Sequence, residues 1–313
     1  MDHLANSFPH DFEVEFALEE DAVDLAIPEA DVILDAYMRI QFTGERLARA
    51  TNLSLFITAT TGADHVDVLH LDQRGIPLLT LQGQQEVLRN ITPAAEHSWL
   101  LLQACSRRLR PAIQHVLRGE WDRNQFPGVM LRGTTLGLVG CGRIGQWMSR
   151  YANGFGMDVL GYDPLLASWP DGIEKSDLDP LLETANFISI HVPLNEDTRG
   201  LIGVREFDLV KPGAILVNTS RGEVVDEEAL HLALLDGRIG AAGLDVLSGE
   251  PNIDQHPLVE YAREHDNLII TPHIGGFAPE AFKYVLSFTC TRIIDFFEQG
   301  NGRPDTVTGA DAR

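Results

Sequence analysis

The chain has 313 residues, enough for two ordinary domains, and its balance of 44% hydrophobic and 22% charged residues excludes wholesale disorder. A formal charge of −22 repels phosphate backbones and anionic lipid surfaces, so neither a nucleic acid nor a membrane partner is expected. No apolar run approaches the roughly 20 residues that cross a bilayer, and the opening MDHLANSFPH lacks the basic start and apolar middle of a secretory signal, so a cytoplasmic location is expected.

In chain order, EVEFAL alternates from Glu13 and predicts a first strand. VILDA, LSLFITAT and IPLLTL predict three more with helices between them, a small α/β unit. ITPAAEHSWLLLQACSRRLR, residues 91–110, predicts one long helix leading into a larger unit. Thr92 is its cap, Pro93 its first helical residue, Glu96 close behind, and Trp99, Leu102 and Leu109 its apolar stripe.

From about residue 130 the short runs TTLGLVG, MDVLGYD, FISIHV, AILVNTS and GLDV alternate with segments of helical period. Apolar strands without polar alternation need both faces covered, which predicts a doubly wound parallel sheet of Rossmann type. Phe282, Val285, Leu286, Ile293, Ile294 and Phe297 predict a tail helix returning to the first domain, and the last dozen residues, GRPDTVTGADAR, read as mobile. The expected domains are therefore 1–92 with 275–313, and 93–274. Cys105, Cys141 and Cys290 are odd in number and show no metal spacing, so reduced thiols and no metal site are expected.

LGLVGCGRIG sets Gly140, Gly142 and Gly145 in a GxGxxG pattern between a strand and a helix. Such a turn brings the backbone around Arg143 and Ile144 to a pyrophosphate, where the helix dipole favours negative charge. The pattern alone is weak, because glycine turns are common. The following strand ends in GYDP, which puts Asp163 18 residues beyond Gly145. A carboxylate there can accept both ribose hydroxyls and repels a 2′-phosphate, favouring NAD over NADP. The alternative for Asp163 is a turn or cap before Pro164.

Polar residues at the carboxyl ends of strands carry the chemistry of open α/β sheets. Arg221 follows ILVNTS, Asp245 and Glu250 follow the next strand, and His273 ends NLIITPH. Singly, each has a bland reading: a surface ion pair, a loop acid, a packed histidine. Together they suit reduction of a carbonyl beside a carboxylate. A guanidinium holds the carboxylate and polarises the ketone. An imidazolium donates the proton as hydride arrives, and a carboxylate next to it favours its charged form and fixes its ring.

At these residues the chain resembles the D-isomer specific 2-hydroxyacid dehydrogenase family, from roughly residue 30 to 300: GLVGCGRIG with GYDP, HVPLNEDTRGLIG, LVNTSRGEVVDEEAL, GLDVLSGEP and TPHIGG stand in family order. The resemblance implies NAD-dependent interconversion of a small 2-oxo acid and the D-2-hydroxy acid. It implies Arg221 as the substrate-binding arginine, Glu250 as the histidine's partner and His273 as the acid/base. It also implies Thr219 and Asp245 beside the nicotinamide, Val192, Pro193 and Thr198 bordering the cofactor with Gly275, a flavodoxin-like substrate domain, and a homodimer formed through the cofactor domain. ITATTGADHVD resembles the family loop whose amides cradle the substrate carboxylate, a role that falls to Thr61 and Gly62. Thr60 stands where many members have glycine, and the alternative is an ordinary glycine turn capped by Asp64. The expected substrate position is a cleft between the domains, closing about residues 91 and 275.

Three other readings stand beside this one. Corepressors resembling the family keep the fold and the histidine as interaction proteins. Formate-oxidising relatives carry glutamine where Glu250 stands, and phosphite-oxidising relatives keep the acid. The end of the chain at residue 313 weighs against a phosphoglycerate enzyme with a C-terminal effector module. Arg39 can meet a second anionic group or simply be solvated, while Tyr37 and Met38 can line a pocket or merely pack.

Overall fold

The longest uninterrupted apolar runs become the middle of a seven-stranded parallel sheet. In the computed structural model, which describes residues 12–298, the strands are β1 Val32–Asp35, β2 Leu55–Thr58, β3 Leu78–Leu79, β4 Thr135–Val139, β5 Asp158–Tyr162, β6 Glu174–Lys175, β7 Phe187–Ile190, β8 Ala214–Asn218, β9 Ile239–Leu244 and β10 Leu268–Ile270. The terminal GRPDTVTGADAR lies outside the described residues.

The chain divides into two compact units, residues 92–277 and residues 1–91 with 278–313. The larger holds the seven strands in the order β10-β9-β8-β7-β4-β5-β6, all pairs parallel. Its strands alternate between two apolar faces. Ile188, Ile190 and Leu216 pack on one side with Leu181 and Leu230, while Phe187, Ile215 and Val217 pack on the other with Trp99, Leu102 and Met148. Burying each such side chain contributes about 1.5–3 kcal/mol, so neither face accepts polar alternation. That is the physical content of the unbroken apolar runs.

The smaller unit has three parallel strands in the order β1-β2-β3. The helix Pro279–Glu298 belongs to it: Ile293 and Phe296 pack against Leu55, Ile57 and Leu79, and Val285 and Leu286 against Ala59, Leu81 and Leu88. Among the described residues, no helix is long and apolar enough to cross a membrane.

Three expectations fail. Glu13–Leu18 is not a strand: β1 is the first, and among the described residues no ladder pairs with the earlier segment. Alternation tells which side chains face inward, but a strand also needs a hydrogen-bonding edge opposite it. The helix expected over 91–110 stops at Ser106, and a second runs from Leu109 to Leu117. Arg108 between them is left-handed at φ 49°, and the Ser106 carbonyl accepts from the Val129 amide instead of continuing the helix. Pro111 explains the break, since it has no amide for the Arg107 carbonyl and its ring would collide there. Leu109 is accordingly exposed rather than part of the stripe. The Thr92 hydroxyl donates to Glu96 at 2.5 Å and does not cap the helix, which starts on Pro93.

Candidate functional site

Strand order reverses between β4 and β7, so the loops leaving these two strands part to either side of a crevice, the usual ligand position of an open parallel sheet. The glycine loop leaves β4 there. A side chain at Gly140, which has φ 97°, would place Cβ 2.5 Å from the His191 carbonyl oxygen, so the exits of β4 and β7 abut. Cβ at Gly145 would lie 2.3 Å from the Gly140 carbonyl, which fixes the close approach of helix Arg143–Gly154 to the strand.

Gly142 differs: a Cβ there would meet nothing within 4 Å. It caps this 12-residue helix without a side-chain bond, leaving open space where the first amides point. The space and the helix dipole fit a diphosphate. Arg143 is half-buried beside Ile144, and desolvation draws its pKa below the ordinary value. Asp163 stands against the same loop, one carboxylate oxygen accepting from the Cys141 amide at 3.0 Å and the other from Leu165 at 3.1 Å. The turn reading of Asp163 is therefore present, and the carboxylate is also held next to the glycine loop. Burial, aided by Asp163, pushes the Cys141 thiol up to about 12, so it stays protonated and unreactive.

Val192 leaves β7 close to Gly140: its side chain is 3.0 Å from where a Gly140 Cβ would stand. The Thr198 hydroxyl donates to the Pro193 carbonyl at 2.6 Å and accepts from the Asn195 amide at 2.8 Å, closing the turn that follows. His191, not singled out in the sequence, lies half-buried at the root of this turn, its Nδ1 shut off from solvent and its Nε2 at 2.8 Å from the Ser189 hydroxyl. Burial drives its pKa down to about 3, so it is a neutral imidazole.

At the end of β8, buried Asn218 shapes the loop that carries Arg221. Its oxygen accepts from the Ser220 amide at 3.0 Å and hydroxyl at 2.8 Å, and its amide donates to the Arg221 carbonyl at 2.8 Å. The half-buried guanidinium donates to the Ser220 carbonyl at 2.8 Å. Thr219 pairs its hydroxyl with Ser98 at 2.6 Å. A Cβ at Gly222 would sit 2.2 Å from both the Leu247 carbonyl carbon and the Ser248 nitrogen. The backbone next to Arg221 thus lies directly on the loop leading to Glu250, a contact only glycine permits.

Glu250 accepts from the Leu247 amide at 3.3 Å with one oxygen and bonds Nδ1 of His273 with the other. The same loop is anchored by Glu227, which accepts from the Ser248 amide at 2.9 Å and pairs with His256 Nε2 at 3.0 Å. His273 has φ 53°, left-handed for a non-glycine residue, and its amide donates to the Asp245 carbonyl at 2.9 Å. Such a backbone costs about 1–3 kcal/mol and persists where its surroundings hold it. The holding group is Asp245, 1% exposed, whose carboxylate accepts from the Ile274 amide at 3.0 Å and the Gly275 amide at 2.7 Å. The structure thus joins His273 to Glu250 by a hydrogen bond, ties both Asp245 and Gly275 to the His273 loop, and sets the Arg221 backbone against the Glu250 loop.

In the smaller unit the loop after β2 is knit by threonines. The Thr60 amide donates to the Thr58 hydroxyl at 3.0 Å and the Thr60 hydroxyl to the Gly62 carbonyl at 2.7 Å, with Thr61 exposed between them. The hydroxyl bond from Thr60 to Gly62 is one that a glycine at this position would lack. Tyr37 packs on Phe282 with ring centroids 4.9 Å apart, and Arg39 is exposed. Among the described residues no group of three or more His, Cys, Asp or Glu is placed to hold a metal ion.

With this geometry in hand, comparison with known proteins is specific. The model of the NAD binding domain of D-isomer specific 2-hydroxyacid dehydrogenases matches residues 99–275. A hydroxypyruvate reductase of Thermotoga maritima is 36% identical over 268 residues, covering 86% of this chain and 85% of its own length. A D-3-phosphoglycerate dehydrogenase of Mycobacterium tuberculosis is 39% identical over 266 residues, covering 84% of this chain and 48% of its own, so the chain spans about half of that relative. The crystal structure of a D-lactate dehydrogenase from Aquifex aeolicus, complexed with NAD and lactic acid, superposes with a TM-score of 0.75 at 27% identity over 89% of this chain and 86% of that one.

The fold and the glycine-loop crevice are those of an NAD-dependent oxidoreductase acting on a CH–OH group. The chain belongs to the D-isomer specific 2-hydroxyacid dehydrogenase family.

Proposed function

We propose that the chain reduces a small 2-oxo acid to the D-2-hydroxy acid, and runs the reverse oxidation, with His273 as the acid/base. The observation that carries this reading is the bond between Glu250 and His273 Nδ1. With Nδ1 engaged, the ring is oriented and Nε2 is the nitrogen that can reach a substrate oxygen. Arg221 anchors the substrate carboxylate and polarises the ketone.

NADH, when bound, supplies the hydride. Gly140, Gly142, Arg143, Ile144 and Gly145 would hold its diphosphate and Asp163 its adenosine ribose, with Val192, Pro193, Thr198, Thr219, Asp245 and Gly275 along the remainder. Within this reading residues 92–277 form the cofactor domain and the smaller unit contributes substrate binding. The substrate's side chain is set by groups outside this acid–base set, so the relatives' different substrates are compatible with one mechanism.

We further propose a homodimer through the cofactor unit. Ile113, Val116 and Leu117 on helix Leu109–Leu117, with Trp121 at 89% and Met130 at 75% exposure, leave an apolar surface that a second copy would cover. Light scattering after size exclusion tests it: a mass twice that of the chain supports pairing, and a monomer at micromolar concentration refutes it. The three free cysteines are all buried, which suits the reducing cytoplasm proposed as its location.

The test of the activity is spectrophotometric. NADH oxidation is followed with glyoxylate, hydroxypyruvate, pyruvate, oxaloacetate and longer oxo acids. Steady turnover on at least one supports the proposal, and none on any of them, with NADH shown to bind, overturns it.

A further inference from the structure

We propose that His97 is a positioning residue for the reaction, acting through Thr271 and Asp245 on the loop that carries His273. The inference rests on the reading of His273 as the acid/base. His97 lies on helix Pro93–Ser106, with its side chain 12% exposed, and its Nε2 is 2.9 Å from the Thr271 hydroxyl and 3.3 Å from an Asp245 carboxylate oxygen.

Hydrogen counting fixes the direction of this contact. Thr271 donates its one hydroxyl hydrogen to the same Asp245 oxygen. Its oxygen can then only accept from His97, so Nε2 carries a hydrogen and serves as the donor. Asp245 accepts from three donors, the hydroxyl of Thr271 and the amides of Ile274 and Gly275, and the ring of His97 supports the first of them from 3.3 Å away. A buried carboxylate is stable only when so supplied.

The two amides flank the consequence. They belong to the residues directly after His273, and the Asp245 carbonyl accepts the His273 amide itself. Moving the Asp245 carboxylate therefore moves the backbone that keeps His273 left-handed and its ring turned to Glu250. A Cβ at Gly275 would lie 2.8 Å from Asp245 and 3.6 Å from His97, so the three groups pack with no room for slack.

His97 is supplied to this place by helix phase. Leu101, one turn later, presses on β9 at Gly243, where a Cβ would lie 2.9 Å from it. The helix thus runs along β9 with His97 toward the strand end at Asp245. Neither His97 nor Thr271 contacts Glu250, so the expected influence on chemistry is positional: a misplaced acid lowers turnover more than it weakens substrate binding.

The experiment compares kcat and KM of the wild type, His97→Leu, His97→Gln, His273→Ala and the H97L/H273A double variant, using whichever 2-oxo acid the wild type reduces. The expected result is a fall of about tenfold in kcat for H97L with KM within about twofold, and recovery to within about threefold of wild type in H97Q, whose amide keeps a donor near Nε2. In the H273A background H97L should add less than about twofold, because the group it positions is gone. Wild-type kcat in H97L overturns the positioning role, and a full additional loss in the double variant overturns the route through His273. A different result, wild-type turnover in H273A alone, refutes the acid/base reading beneath it. If H97L does not fold, Thr271→Val carries the same comparison, since it removes the hydroxyl between His97 and Asp245 and keeps the side chain's size.

Discussion

Glu250 and His273 are 23 residues apart in sequence and joined carboxylate to Nδ1 at neighbouring strand exits. Both side chains are about one-third exposed, so their mutual attraction adds little to stability and the bond acts chiefly on ring orientation. Glu250→Gln keeps the shape and a hydrogen-bonding group but removes the negative charge. Turnover in the reductive direction should fall about tenfold, with the melting temperature unchanged within error. Steady-state rates beside a thermal melt check this, and an E250Q enzyme with full kcat would show that the carboxylate's charge is not used.

The glycine loop separates a folding requirement from a binding one. Gly145→Ala drives Cβ toward the Gly140 carbonyl, 2.3 Å away, and should destabilise the fold by roughly 1–3 kcal/mol. Gly142→Ala meets no protein atom within 4 Å and should fold normally, yet its methyl occupies the space read as the diphosphate site. NADH affinity, followed by fluorescence titration, should weaken about tenfold or more in G142A. Wild-type affinity there would place the diphosphate elsewhere.

Much of this was legible in the sequence because it depended on short-range pattern. The run Ala214–Asn218 is buried at every position, and such a run can only be a strand covered on both faces. The glycine turn between β4 and its helix was legible because neighbouring residues make it, and Asp163 because it directly ends the next strand. Glu13–Leu18 misled because its alternation was real while no partner edge lay opposite. β6 was missed since Glu174 and Lys175 are exposed and carry no apolar signal. His97 was missed for a different reason: its partner Asp245 is 148 positions away, and within its helix it shares a face with Leu101 and looks like one more packed residue. Glu227 with His256 escaped similarly, since their task is to hold the backbone of Ser248.

His191 predicts a pH dependence of stability. Its folded pKa is about 3 and its ordinary value 6.5, so between these values the unfolded chain binds more protons. Its contribution is therefore complete above pH 6.5 and is lost progressively as pH falls toward 3. Between pH 7 and pH 5 this group alone removes about 2 kcal/mol. Urea unfolding of the wild type and of His191→Gln at the two pH values should show the wild type losing more by about that amount. Equal losses would mean that His191 is protonated in the folded chain.

The central claim is that His273 moves the proton. The direct measurement is the single-turnover rate of NADH oxidation by wild type and His273→Ala on the 2-oxo acid the wild type reduces, with NADH binding verified for both. The account predicts a fall of roughly 100-fold or more with cofactor affinity retained. A variant that oxidises NADH at the wild-type rate contradicts it.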